Sequence, residues 1–420
     1  MKMLLMIILQ KTMKNYHFKE TQSLPHNWKS YKLSELTSVI TKGTTPSTYG
    51  FDFLASGINY IRAQSLNYSG SIDEESFSYI SQEAHDRLKR SQLKKNDILF
   101  SMAGAYLGMV GMIKESHCPA NTNQAVGIIR ISVDFVDVKF VEYTLRNPST
   151  VEFVNSQSGQ SAQPNINLAE IGNLSFKFPP LQEQKAIASI LSALDDKIEN
   201  NLAMNKTLED MAMALYKHWF VDFGPFADGE FVDSELGMIP KGWEVKQLKE
   251  ILEIKYGKDH KKLEEGTIPV YGTGGIMRYV NQSLYDQESI LIPRKGSLNN
   301  LYYLNRKFWT VDTLFYSKIK LTGFGKYAFH FLKTLDLASM DVGSAIPSLT
   351  TQLLNRINVV IPPNHEVLKY DKIVTIWFNM IQSNIEENQT LTEIRDTMLS
   401  KLISGEVRLK EFKETLANAL

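Results

Sequence analysis

Ser161-Ala162-Gln163-Pro164 returns 183 positions later as Ser344-Ala345-Ile346-Pro347. The same offset carries Phe178-Pro179-Pro180 onto Ile361-Pro362-Pro363. It also carries Ile198, Asn201, Asn205 and Leu208 onto Ile381, Asn384, Asn388 and Leu391. Residues 161–208 share 12 identities in 48 with the later copy, without a gap. Half fall on prolines or apolar helix positions, where structure demands them. Two copies of one unit in tandem imply a pseudo-symmetric molecule, and such a molecule suits a two-part target.

A second signature opens each unit. Leu24-Pro25-His26-Asn27-Trp28 is followed by Leu33 and Leu36; Ile239-Pro240-Lys241-Gly242-Trp243 is followed by Leu248 and Ile251. The offset is now 215, so the first middle block is 32 residues longer than the second (215 − 183). The middles read as mixed, strand-rich domains. Short apolar runs at 97–100 and 127–131, and again at 289–292 and 309–311, stand between turn residues. Helices are expected at 82–90, 136–147 and 325–334.

Each unit closes on a long helix. Leu191, Leu194, Ile198, Asn201, Asn205 and Leu208 step by three and four, as do Val374, Trp377, Ile381, Asn384, Asn388 and Leu391. This is the a/d pattern of a coiled coil, with asparagines in the seam and one break at Arg395. The proline pairs precede the helices, and Gly224 and Gly405 are the expected stops. Each helix spans roughly 40 residues, or about 60 Å. Asparagine in a seam sacrifices stability and fixes register, and an antiparallel pairing brings Asn201 and Asn205 towards Asn388 and Asn384.

Composition sets the bounds. The chain has 420 residues, 43% hydrophobic and 22% charged, with zero formal net charge. That is ordinary for a globular protein of several domains. The single cysteine, Cys118, excludes a disulfide framework and a multi-cysteine zinc site. Met3–Leu9 is apolar but far too short to span a membrane, and reads as part of an extension preceding the first unit.

No catalytic or metal-binding constellation emerges. An amino-group DNA methyltransferase needs Asp/Asn/Ser-Pro-Pro-aromatic, yet Phe178 and Ile361 precede the two proline pairs. No Walker-type loop is visible, and the histidines lack ligand spacing. The carboxylate-x-lysine pairs Asp137/Lys139, Glu244/Lys246 and Glu253/Lys255 stand in no nuclease frame. The glycine loop Tyr271-Gly272-Thr273-Gly274-Gly275 reads as a turn letting backbone approach a ligand.

The polar loops of the middle blocks carry the side chains that read base edges and hold phosphates. The candidates in the first are Lys42, Thr44, Arg62, Gln64, Ser101, Asn121, Asn123, Gln124 and Gln163. Those in the second are Lys258, Lys261, Lys262, Tyr271, Thr273, Arg278, Arg294, Lys295, Asn299 and Ser344.

Taken together, the Leu-Pro-x-x-Trp opening, Pro179-Pro180-Leu181-Gln182-Glu183-Gln184, the asparagine-bearing helix, Trp219-Phe220-Val221-Asp222-Phe223 and Lys401-Leu402-Ile403-Ser404-Gly405-Glu406 resemble the specificity subunit of type I restriction-modification systems. The resemblance runs from about residue 24 to the C-terminus. It implies an α+β protein with two mixed α/β target recognition domains in tandem, each followed by a long helix. The two helices pair as an antiparallel coiled coil with pseudo-twofold symmetry. The implied layout is an N-terminal extension (1–23), recognition domain 1 (24–178), a central helical region (179–223), a linker (224–238), recognition domain 2 (239–361) and a C-terminal helical region (362–420).

The resemblance further implies a non-catalytic, cytoplasmic DNA-binding subunit that reads a bipartite asymmetric site in double-stranded DNA. Its expected partners are two modification (methyltransferase) subunits and the restriction (translocase/endonuclease) subunits, with no membrane. S-adenosylmethionine, ATP and Mg would belong to those partners and not to this chain. One departure is Pro293, where relatives of the second domain often carry glycine. The competing expectation is a stand-alone restriction or modification enzyme with an unrecognised site.

Overall fold

Ile98-Leu99-Phe100-Ser101 is buried at every position, on both faces of its strand, and that burial locates the centre of the first sheet. The computed structural model describes residues 27–157, 164–340 and 348–407. The extension 1–23, Leu24-Pro25-His26, Ser161-Ala162-Gln163, Ser344-Ala345-Ile346-Pro347 and residues 408–420 lie outside the described residues. The chain divides into two compact units. The first runs up to Glu199 and resumes at Glu387; the second is Asn200–Glu386.

In the first unit the order is β1 (Lys29–Lys32), α1 (Leu33–Leu36), β2 (Thr37–Lys42), β3 (Ile58–Ile61), β4 (Ser78–Ile80), α2 (Gln82–Arg87), β5 (Ile98–Ser101), β6 (Val110–Met112), β7 (Ala120–Thr122) and β8 (Val126–Ile131). Then come α3 (Val138–Arg146), α4 (Pro148–Gln157), α5 (Leu168–Asn173) and β9 (Ser175–Phe178). An antiparallel sheet has the order β2-β8-β5-β6. A second sheet, β4-β3-β7, joins an antiparallel pair to a parallel one. Alternation along β5 explains the layering. Ile98 and Phe100 join the core beneath α3, with Phe140, Val141 and Leu145. Leu99, with Ile128 from β8, faces the other way, onto Ile61 and Ala120 of the second sheet.

The second unit repeats this plan strand for strand. After a short pair, β10 (Phe231–Val232) with β11 (Ile239–Pro240), come β12 (Glu244–Gln247), β13 (Leu252–Tyr256), β14 (Ile268–Gly272), β15 (Gly275–Val280), β16 (Glu288–Pro293), β17 (Tyr302–Asn305), β18 (Trp309–Thr310) and β19 (Leu314–Ile319). Helices α6 (Phe324–Thr334) and α7 (Thr351–Asn355) follow, and then β20 (Asn358–Ile361). The sheets are β13-β19-β16-β17 and β15-β14-β18. Again one pair in the smaller sheet is parallel. Ile290 and Ile292 face α6, while Leu291 faces the other way, with Leu314. In both units the opening strand pairs antiparallel with the closing one. Lys29 stands opposite Phe178 and Glu244 opposite Ile361, positions related by the sequence offsets 215 and 183.

The expected helix at 82–90 ends at Arg87 and gives way to a 3-10 turn at Lys89–Ser91. Much of the extra length of the first block lies around it. Sixteen residues (62–77) join β3 to β4, where only Thr273 and Gly274 join β14 to β15. The 224–238 stretch is not bare. The Phe223 and Phe226 rings pack on Trp243, at 5.4 and 4.9 Å between centroids.

Two long helices, αN (Leu181–Phe220, 40 residues) and αC (Asn364–Ser404, 41 residues), contribute one half each to either unit. Gly405, at φ 73°, takes the left-handed position that ends αC. The first helix stops four residues short of Gly224, and its left-handed residue is Phe223 at φ 54°. A β-carbon on Gly224 would overlap the ring of exposed His218, which would have to swing aside.

Within each unit the half-helices pair antiparallel. In the first, Asp195 accepts from Arg395 (3.0 Å) and Ile198 O accepts from Asn388 (3.3 Å). In the second, Asn205 Oδ1 accepts from Asn384 (2.8 Å) and Ala212 O from Tyr370 (3.5 Å). Of the seam residues, Leu191, Asn201, Asn205, Leu208, Val374 and Ile381 are buried, and Leu194, Ile198, Trp377, Asn384, Asn388 and Leu391 half-buried. Arg395 interrupts the heptads because it is an ion-pair member and not a packing residue.

The Asn205–Asn384 amide pair makes a test of register. Asn384→Ala strands a largely buried acceptor and is expected to cost about 1–2 kcal/mol. Asn205→Leu with Asn384→Leu removes both polar groups and should raise stability above the wild type. Urea midpoints of the three proteins check the order, and a double variant less stable than the single one would refute it.

Candidate nucleic-acid interface

The chain has to close a loop cluster at one end of each four-stranded sheet, and it does so twice with the same backbone bonds. In the first unit Gly43 N donates to Val126 O (3.2 Å), Thr44 N to Thr122 O (3.0 Å), Met102 N to Ala125 O (2.8 Å) and Ile166 N to Met102 O (2.9 Å). In the second, Gly257 N donates to Leu314 O (3.1 Å), Lys258 N to Thr310 O (2.9 Å), Arg294 N to Thr313 O (2.9 Å) and Leu349 N to Arg294 O (2.9 Å). The bridge Ala103–Asn165 has its counterpart in Lys295–Ser348. One glycine per cluster allows the approach. A β-carbon on Gly43 would overlap the Thr122 and Asn123 carbonyls, and one on Gly257 the Val311 and Thr310 carbonyls.

Equal backbones therefore present unequal side chains. Lys42, Met102, Ala103, Gln124 and Asn165 in the first unit correspond to Tyr256, Arg294, Lys295, Asp312 and Ser348 in the second. Lys42, Gln124, Asn165 and Asn167 line an open recess of about 520 Å³. Lys42 and Gln124 are exposed, and the Thr45 hydroxyl donates to the Gln124 carboxamide oxygen. Thr44 accepts from Arg90 Nη2 (3.0 Å). The Tyr60 phenol donates to Thr44 O (3.1 Å). Burial pushes Tyr60 up to about 12, against the lowering influence of Thr45 and Arg62, so it stays a donor. Arg62 stacks on the exposed Phe53 ring (4.5 Å) and Arg87 on the exposed Tyr49 ring (5.4 Å). Gln64 is exposed in a 3-10 turn, and Asn123 is half-buried.

In the second unit Lys258, Lys261, Lys262, Lys295 and Asn299 are exposed. Trp309 Nε1 anchors the first of these loops through Lys258 O (2.9 Å). The glycine loop is the turn of the β14–β15 hairpin, with Gly272 opposite Gly275. Asn300 and the Tyr302 phenol both donate to Thr273 O (3.0 and 2.9 Å), tying that turn to the 295–302 loop. Half-buried Arg278 donates to Leu263 O (2.8 Å). Gln163 and Ser344 lie outside the described residues.

Three candidates do not present themselves to a ligand. Asn121 is fully buried, and its amide donates to Leu88 O (3.2 Å) and Ser91 Oγ (2.9 Å) while its carbonyl meets His85. It braces the loop from inside. Ser101 is fully buried in β5. Tyr271 is buried on β14, and its hydroxyl accepts from Arg306 (2.7 Å). Polarity marked these residues, but their strand positions turn them inward. Conversely, Arg87, Arg90, Asn165 and Asp312 join the clusters unannounced. Asn165 carried a signal, since it follows the repeated Pro164; Arg90 was hidden inside an expected helix.

The carboxylate-x-lysine pairs have structural employment. Glu244 meets Lys246 at 2.6 Å and Glu253 meets Lys255 at 2.7 Å along exposed strands. Asp137 caps α3 through Phe140 N (2.9 Å), and Lys139 pairs with Glu142 (2.6 Å). Among the described residues no three His, Cys, Asp or Glu side chains could hold a metal ion.

The family described as type I restriction modification DNA specificity domain matches residues 25–210 and 240–395, the two copies in turn. The chain belongs to this family. It is 28% identical to the MjaIX type I restriction enzyme specificity subunit of Methanocaldococcus jannaschii, over 97% of this chain and all of that one. It is 23% identical to the HindI specificity subunit of Haemophilus influenzae, over 91% of this chain and all of that one. A crystal structure of a type I restriction-modification S subunit from M. genitalium shares the fold. Its TM-score is 0.57 at 21% identity, with 92% of this chain and 98% of that one covered. The two mixed α/β domains in tandem, each followed by a long helix, are thus the family's architecture. Among the described residues no helix is long and apolar enough to cross a membrane.

Proposed function

We propose that this chain is the non-catalytic DNA-recognition subunit of a type I restriction-modification complex. Each loop cluster reads one half of a bipartite asymmetric site in double-stranded DNA, and the chain scaffolds the modification and restriction subunits in the cytoplasm. S-adenosylmethionine, ATP and Mg belong to those partners. The observation that carries the proposal is the pair of clusters with identical backbone bonds and different side chains. A shared frame with unlike polar groups is what reading two different half-sites requires, because base edges differ in their donor and acceptor patterns while the duplex backbone does not.

Methylome sequencing with and without the gene tests this. Deletion should abolish one bipartite methylated motif, and replacing residues 24–178 by the block of a relative should rewrite one half of it. Unchanged methylation after deletion, or a swap that altered both halves, would remove the two-reader proposal. Methyl transfer or cleavage by the purified chain alone would restore the enzyme alternative.

A further inference from the structure

We infer that Arg294 reads a guanine in the half-site assigned to the second unit, and that the first unit has no such contact at the matching position. The inference rests on the DNA-recognition proposal and assigns one residue of that site to one base. The backbone of Arg294 is held from both sides, by Thr313 O and by Leu349 N, at 2.9 Å each. Its guanidinium is held as well. Nη1 donates to Asp312 O (2.8 Å), and the group lies over the Tyr256 ring at 5.6 Å from the centroid. Tyr256 is itself 53% exposed, so this stack stands at the surface.

These two contacts restrain the guanidinium before any ligand arrives, and its remaining N–H groups form a planar fork. Phosphate contacts can be supplied by the exposed ammonium groups of Lys258, Lys261, Lys262 and Lys295, which carry charge without a planar fork. Guanine asks for two parallel donors, at O6 and N7 of its major-groove edge, and a planar guanidinium fork meets that demand. In the first unit the equivalent residue is Met102, which is buried and packed into the core beside Ile171. Pro293, the departure from the family pattern, ends β16 opposite Leu314 and leaves the Arg294 amide bonded. The proline does not displace the arginine.

Selection of bound duplexes from a randomised pool by the purified full chain tests the assignment, with R294Q and R294K beside the wild type and thermal melting of each. The wild type should select a motif with a guanine in the half that changes when residues 239–361 are replaced. Both variants should lose preference at that one base by roughly ten- to a hundredfold and keep every other position. If R294Q unfolds, R294K decides, because it keeps the charge and loses the fork. Weaker binding with the motif intact and a shallower salt dependence would make Arg294 a phosphate contact and overturn the inference. So would a motif unchanged in every respect. A wild-type chain selecting no motif would instead remove the recognition proposal, and this inference with it.

Discussion

Asp195→Ala will destabilise the first unit by about 3–5 kcal/mol, the usual effect of breaking a buried ion pair from one side. Asp195, on the first long helix, accepts from Arg146 (2.9 Å), Arg395 (3.0 Å) and the Tyr143 phenol (2.8 Å). The Arg146 and Arg395 side chains are only 2% and 6% exposed. Arg146 keeps Glu142 and Arg395 keeps Asp396, but the alanine leaves two largely buried guanidiniums short of charge compensation. Burial pushes the Asp195 carboxyl up, and the Arg146 guanidinium, with the bonds from Tyr143 and Arg395, more than reverses it. The net pKa is lowered. A depressed folded value gives stability that is present above the unfolded pKa, about 3.9, and is lost as pH falls through the folded one. Urea midpoints should therefore drop between pH 5 and the acid limit in the wild type, and drop less in Asp195→Asn. Replacing Glu142, Arg146, Asp195 and Arg395 together by Leu, Met, Leu and Met removes the buried charges on both sides and should recover most of the loss. An alanine variant with an unmoved midpoint at pH 7 would show that the network contributes nothing.

Gly43→Ala and Gly257→Ala will each silence one half-site and spare the other. The new β-carbon meets backbone carbonyls on the facing loop, which cannot rotate away as a side chain can. The Thr122–Gln124 loop, or its counterpart at Thr310–Asp312, must move off. The bond from Thr44 or Lys258 then stretches, and the presented side chains lose their common frame. Since the strain is confined to one loop cluster, stability should fall by only about 1–3 kcal/mol. Recognition should change much more. Losing two base contacts at about 1–3 kcal/mol each reduces selectivity for that half by roughly a thousandfold. Bound-sequence selection with both variants supplies its own control, because each leaves the other's half unaltered. Loss of both halves from either substitution, or of neither, would deny that these glycines close separate readers.

Much of the architecture was legible because its determinants are local. Pro179-Pro180 and Pro362-Pro363 suit a helix entry, where proline lacks no needed N–H, and heptad spacing makes a seam whatever its partner. The duplicated ends survived comparison because both copies meet the same local demand. The middles did not announce their likeness. β5 and β16 share alternation, burial and an Ile-Leu pair (98–99 and 290–291), but an insertion around α2 shifts the register between them.

The sequence by itself determined the duplication, the two long helices with their asparagines, and the class of side chain offered by each loop. These follow from period, proline and composition, which act within a few residues. Only the tertiary structure decided which polar groups face out. Asn121 and Gln124 lie three residues apart with equally polar amides, yet strand β7 turns one into the interior and the loop leaves the other exposed. It also gave Arg395 its partner 200 residues away in Asp195, and showed that Gly43 and Gly257 answer to facing carbonyls. Pairing across such distances depends on where the sheets and helices place the chain, and no local pattern encodes that.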